Sequence, residues 1–232
     1  KRQHLKQHTL SRDELLRIFV RLCFGVQHAH ERGLVHRDLK LANVLIARVD
    51  GIAQPKLIDF GLAVTLAGAS APLVRGGTLS YMSPEQRDQT KRIDARSDVY
   101  SLGIILLRML TPMAVQGELE SLGSSGELSG LFHNGDRAPE RSAPAWMHRI
   151  DPELRQVIAL ALRHDPTQRY DTARALAEDV ERFRACKPLR AVSTRRLYRA
   201  SKFLRRHALA VLLAGLAVSG LVLATVGSTL GY

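Results

Sequence analysis

Eight consecutive residues, His36-Arg37-Asp38-Leu39-Lys40-Leu41-Ala42-Asn43, followed sixteen positions after the asparagine by Asp59-Phe60-Gly61, constrain this chain more than any other feature. Leu34-Val35, Val44-Leu45-Ile46 and Lys56-Leu57-Ile58 flank these motifs as short apolar strands, and Asp50-Gly51 supplies a turn between the last two. Strands joined so tightly would gather Asp38, Asn43 and Asp59 around one cleft. Amide and carboxylate oxygens at Asn43 and Asp59 are hard ligands suited to Mg²⁺. Lys40 can neutralise an anionic group, and Asp38 can accept or orient a hydroxyl.

Helical signals fill most of the remaining chain. Ser11-Arg12-Asp13-Glu14 has the capping-box pattern and opens a helix with Leu15, Leu16, Phe19, Leu22, Cys23 and Val26 on one face, ended by Gly33. Residues 62–82 form a loop without clean periodicity. A strongly apolar helix is expected from about Val99 to Leu110, halted by Thr111-Pro112. Residues 116–145, Gly/Ser-rich and polar, read as an irregular insertion or exposed loop. Pro152–His164 and Thr172–Arg184 read as two amphipathic helices. No internal repeat is visible.

Further motifs follow in order: Gly77-Thr78-Leu79-Ser80-Tyr81-Met82-Ser83-Pro84-Glu85, then Ser97-Asp98-Val99-Tyr100-Ser101-Leu102-Gly103, then Asp165-Pro166-Thr167-Gln168-Arg169-Tyr170. With the two motifs above, they resemble the catalytic loop, metal loop, activation-segment end and central buried helix of eukaryotic-type protein kinases. Ser83-Pro84-Glu85 stands in place of the usual Ala-Pro-Glu. The resemblance covers roughly residues 5–185. It implies a mainly α (α+β) fold, the C-terminal lobe of a kinase, with short strands at the catalytic cleft. It also implies roles: Asp38 and Lys40 catalytic; Lys40, Asn43, Leu45 and Asp59 around ATP; Asn43 and Asp59 on Mg²⁺. Asp98 would hold the catalytic loop by its backbone, Arg169 would pair with Glu85 in the interior, and His36, Phe60 and Gly61 would be structural. Lys40, with Thr78 nearby, goes with Ser/Thr hydroxyls of protein substrates. Arg37 before Asp38 implies regulation by phosphorylation of the 62–82 loop, by autophosphorylation and possible pairing of two copies. Thr65, Ser70, Thr78 and Ser80 are the hydroxyls there, Thr78 reading rather as a structural partner of Asp38 and Lys40.

The front of that family is not matched. The sequence has no Gly-x-Gly-x-x-Gly loop and no strand lysine in a Val-Ala-Ile-Lys context. The chain alone is therefore expected to bind Mg-ATP weakly and to phosphorylate poorly. The non-Met start and the abrupt end favour a fragment of a longer kinase. The alternative is a non-catalytic, membrane-tethered pseudokinase or adaptor, against which the intact Asp38, Lys40, Asn43 and Asp59 speak.

Charge locates the other constraint. The chain carries 34 Lys+Arg against 22 Asp+Glu, yet ten of the basic residues fall within 182–207, where no acid occurs. Setting those ten aside leaves 24 basic against 22 acidic side chains, so the excess does not mark a nucleic-acid-binding domain. Beyond it, Ala208–Tyr232 runs for 25 residues without a charge. As a helix this run would reach about 37 Å, against a hydrocarbon core of about 30 Å. The expected organisation is a kinase lobe over 1–185, a basic juxtamembrane linker over 186–207, which either lies on anionic membrane lipid or carries topogenic charges only, and one transmembrane helix over 208–232. Flanking Lys/Arg would keep the kinase part cytoplasmic. Cys23 and Cys186 have no metal-ligand spacing and read as free thiols. The arrangement resembles bacterial receptor-like kinases.

Overall fold

The computed structural model describes residues 10–50, 52–59, 64–65, 79–88, 93–133 and 144–192. Phe60, Gly61, Thr78, Ser70 and the expected membrane span over 208–232 lie outside them. Among the described residues no helix is long and apolar enough to cross a membrane.

Helix α1 (Arg12–His30) begins at the expected capping box: Ser11 Oγ accepts from the Glu14 N–H at 3.2 Å, and Glu14 Oε2 accepts from the Ser11 N–H at 2.8 Å. Gly33 takes φ +74°, which turns the chain into β1 (Leu34–Val35). Strand β1 pairs antiparallel with β4 (Val64–Thr65). Between them, β2 (Val44–Val49) and β3 (Ile52–Leu57) form a hairpin with Val44 opposite Leu57 and Val49 opposite Ile52. Asp50 supplies the left-handed residue of the turn with φ 51°.

A short helix, α2 (Pro84–Arg87), leads to the central helix α3 (Ala95–Leu110). Asp94 caps α3 through the Arg96 N–H at 2.8 Å, so the helix begins four residues before the expected Val99. Every residue from Ser97 to Met109 is buried. A helix apolar on one face would expose the other; this one is covered on all sides, by α1, α6, α7 and the turn over Leu79–Tyr81.

Residues 116–133 correct the expected irregular insertion. They form α4 (Gln116–Ser125) and α5 (Leu128–His133), with Leu119, Leu128 and Phe132 buried. Their apolar residues are too few for a periodic signal. The helices are held by α4 packing on the Leu79–Tyr81 turn, where a Cβ on Gly123 would meet the Ser80 carbonyl at 2.7 Å. Gly126, at φ +85°, closes α4. Then α6 (Pro152–Ala161) packs on α3, and α7 (Ala173–Arg184) on α1.

The start of the segment read as linker is folded. Leu189 is buried, and the N–H groups of Arg190 and Ala191 donate to the fully buried Asp179 carboxylate at 2.8 and 2.9 Å. The Tyr170 hydroxyl donates to the same carboxylate at 2.9 Å. Residues 186–192 therefore lie back along α7.

Two glycines in helices should respond oppositely to a methyl group. At Gly103 an added Cβ would stand 2.8 Å from the Ala161 Cβ, so Gly103→Ala should lower stability by about 1–3 kcal/mol. Gly25 in α1 has nothing within 4 Å, so Gly25→Ala should raise it by about 0.5–1 kcal/mol. Urea unfolding followed by circular dichroism measures both.

Candidate active site

The loop between β1 and β2 is fixed from below by Asp98, in the first turn of α3. Its carboxylate accepts the His36 N–H at 2.8 Å on Oδ2 and the Arg37 N–H at 2.9 Å on Oδ1, as the sequence led us to expect. A third donor, His30 Nε2 at the end of α1, lies 2.7 Å from Oδ2. A carboxylate can only accept, so Nε2 carries the hydrogen. Arg37 adopts φ 65°, a conformation costly for a side chain with a Cβ, and Gln86 Nε2 donates to its carbonyl at 2.8 Å. Both peptide groups of Arg37 are thus held by distant elements, which keeps the strained turn in place. His36 is buried beneath it, and burial pushes its imidazole pKa down, which favours the neutral ring.

This turn presents Asp38. Lys40 Nζ donates to Asp38 Oδ2 at 2.7 Å, and Asn43 Nδ2 donates to the Asp38 carbonyl at 2.9 Å and to Oδ2 at 3.3 Å. Both neighbours engage one oxygen. The other, Oδ1, is buried and has no hydrogen-bond partner among the described residues. A buried acceptor left without a donor is unfavourable unless a donor arrives, and a substrate hydroxyl is such a donor.

Asn43 ends in a 3-10 turn over Leu41–Asn43 and begins the hairpin. Its carbonyl accepts the Ile58 N–H at 2.9 Å, continuing the Val44–Leu57 register and bringing Asp59 to the asparagine's end of the hairpin. Asp59 has φ 67°, left-handed like Arg37. Asn43 turns its Nδ2 toward Asp38, which leaves its amide oxygen on the other side of the group. That oxygen and the Asp59 carboxylate suit a hard cation such as Mg²⁺. Leu45 is half-buried on β2, opposite Lys56.

Glu85 and Arg169 form the expected interior pair, bidentate at 2.7 Å for each bond. Ser97 Oγ adds a bond to Glu85 Oε1 at 2.7 Å, and the guanidinium also donates to the carbonyls of Arg163, His164 and Arg96. Every face of this buried pair is hydrogen-bonded, as an interior ion pair requires. Burial works to raise the Glu85 pKa, but the Arg169 hydrogen bonds and charge, with the Ser97 hydroxyl, outweigh it and hold the carboxyl below its ordinary value.

The sequence reading missed His30, Gln86 and Ser97. His30 lies 68 residues from Asp98, and no local pattern marks it. Of the proposed loop phosphosites, Ser80 is corrected: it is buried and accepts from Arg108 at 3.1 Å, so a modifying enzyme could not reach its hydroxyl in this fold.

Comparison with known proteins agrees with this geometry. Residues 1–180 match the protein kinase domain, and the chain belongs to that family. It is 36% identical over 174 residues to the serine/threonine-protein kinase PknB of Mycolicibacterium smegmatis, covering 72% of this chain and 26% of that protein. It is 32% identical over 170 residues to PrkC of Bacillus subtilis, covering 72% of this chain and 24% of that protein. With PknL of Mycobacterium tuberculosis the identity is 39% over 160 residues, 68% of this chain and 37% of that protein. The chain thus spans between about a quarter and somewhat over a third of the length of these curated relatives.

Arg169→Met should cost about 3–5 kcal/mol, because Glu85 is left charged and buried. The depressed Glu85 pKa means the folded state binds its proton less readily than the unfolded chain does. The stabilisation from this group is therefore complete above the unfolded carboxyl value and is lost as pH falls through the folded one. Acid titration of Glu85→Gln should show a shallower loss of stability below about pH 4.5 than the parent; equal slopes would remove Glu85 as a cause.

Proposed function

We propose that this chain carries the substrate- and metal-binding part of a serine/threonine protein kinase, which transfers the γ-phosphoryl group of ATP to protein hydroxyls. The observation that carries the reading is the asymmetric Asp38 carboxylate, one oxygen held by Lys40 and Asn43 and the other buried without a donor. A serine or threonine hydroxyl donating to Oδ1 would be oriented by it and lose its proton to it. The new O–P bond forms as the bond between the γ-phosphorus and the ADP oxygen breaks. Lys40, on the same carboxylate, lies where it can neutralise charge on the phosphoryl group. Asn43 and Asp59 would hold Mg²⁺, which would supply positive charge to offset the negative charge developing on the phosphates. Lys40 at two residues after Asp38, and the names of the relatives, support Ser/Thr as acceptors.

Nothing in the sequence at hand clamps the α- and β-phosphates, so the chain by itself should bind Mg-ATP weakly. Those contacts would come from a glycine-rich loop and strand lysine outside this sequence. The second part of the proposal is anchoring by 208–232, with the lobe on the cytoplasmic side; the uncharged run and the basic residues before it support this.

In a form joined to a nucleotide-clamping lobe, Asp38→Asn should reduce kcat by about 10²- to 10⁴-fold. The KM for ATP should change little, because Asp38 faces the acceptor. A steady-state assay with a serine peptide decides; an unaffected kcat would remove Asp38 from the chemistry, and no turnover by the parent would leave the adaptor reading in its place. Carbonate extraction of expressing cells should leave the full chain in the membrane pellet.

A further inference from the structure

The start of α1 and the end of α3 enclose a cleft of about 270 Å³ that takes no part in the phosphoryl transfer. Leu10, Leu15, Met109 and Leu110 form its apolar wall, and Arg12 and Arg149 stand on its rim. Both arginines are exposed, and neither pairs with a carboxylate among the described residues. Arg12 instead lies over the Phe183 ring, 5.5 Å from its centroid. The adjacent acids are occupied: Asp13 by Arg17 and Arg184, each at 2.8 Å, and Glu14 by Ser11. Two uncompensated guanidinium groups over an apolar wall suit a ligand with an anionic head and a greasy body.

The lining of the cleft, and its place beside the helix that leads to the basic segment, suit a membrane lipid. The end of α7 lies beside it, with Phe183 under Arg12 and Arg184 on Asp13. The chain then folds back so that Arg190 and Ala191 are fixed on Asp179 and Leu189 is buried, which sets where Val192 leaves the domain. This fold-back lies beyond residues 1–180 matched by the family. The uncharged run starts sixteen residues after Val192. Sixteen extended residues reach at most about 55 Å, so the linker alone leaves the orientation of the domain open. We propose that the cleft seats the headgroup of an anionic phospholipid from the bilayer entered by 208–232. Arg12 and Arg149 take the phosphate, and the apolar wall takes the glycerol and first methylenes. The seated lipid turns this end of the domain to the membrane. The inference rests on the anchoring reading above.

Hydrogen exchange on the full chain in nanodiscs tests it, with phosphatidylcholine alone or mixed with phosphatidylglycerol. Amides of 10–16 and 144–150 should exchange more slowly in the mixed discs than in phosphatidylcholine, while those of the 44–57 hairpin stay unchanged. The Arg12→Gln/Arg149→Gln variant should lose that protection, by roughly fivefold for each guanidinium removed. Its unchanged hairpin exchange would show that it is folded. Equal protection in both lipids, or protection in phosphatidylcholine discs on adding inorganic phosphate, would overturn the lipid assignment. A chain that inserts into the discs without protection in the cleft overturns this proposal alone. A chain that does not insert overturns the anchoring reading and this proposal with it.

Discussion

A single buried carboxylate organises the site. Asp98 is fully buried in the first turn of the central helix, and a lone charge there would be strongly unfavourable. It is tolerated because three donors converge on it: two peptide N–H groups of the catalytic loop and the His30 ring. The same bonds that stabilise the charge hold Arg37 in its left-handed conformation, and that conformation presents Asp38. Central helix, strained turn and the Asp38 carboxylate are therefore one mechanical unit. The helix can serve as its base because it is covered on every side and has little freedom to shift.

The pattern recurs twice. Glu85 joins the end of the activation segment to Arg169, which is tied in turn to three carbonyls. Asp179 binds the segment after α7 by two backbone N–H groups and is tied by Tyr170 to the stretch that carries Arg169. Each acid fixes a piece of irregular chain to a helix. Irregular segments have few backbone bonds of their own, so a buried acceptor collecting their N–H groups gives a definite geometry where no ladder can. The exit of the chain toward its basic segment is thereby set by the same kind of bond that sets the catalytic loop.

Much of this was legible beforehand, unevenly. The capping box at Ser11, the hairpin around Asp50 and the interior Glu85–Arg169 pair followed from local pattern or from motif resemblance. The reading of 116–145 as irregular failed over 116–133, because α4 and α5 draw their stability from a few buried leucines and a phenylalanine against the Leu79–Tyr81 turn, not from periodicity. The folded 186–192 stretch was masked by its basic composition, which resembles a solvated linker. Ser80 looked like any loop hydroxyl until Arg108 was found on it. In each case the deciding partner was remote in the chain.

The amino-acid sequence by itself determined which side chains of metal-ligating, cationic and proton-accepting type are present and at what spacing they occur around a tight hairpin. Those are properties of residue type and short-range geometry, carried along a few residues. The tertiary structure alone decided that His30 and Gln86 brace the catalytic loop, that one oxygen of Asp38 is held while the other is not, and that the chain folds back on Asp179 after its last helix. These rest on hydrogen bonds between segments far apart in sequence, whose worth depends on burial, and burial exists only once the helices have packed.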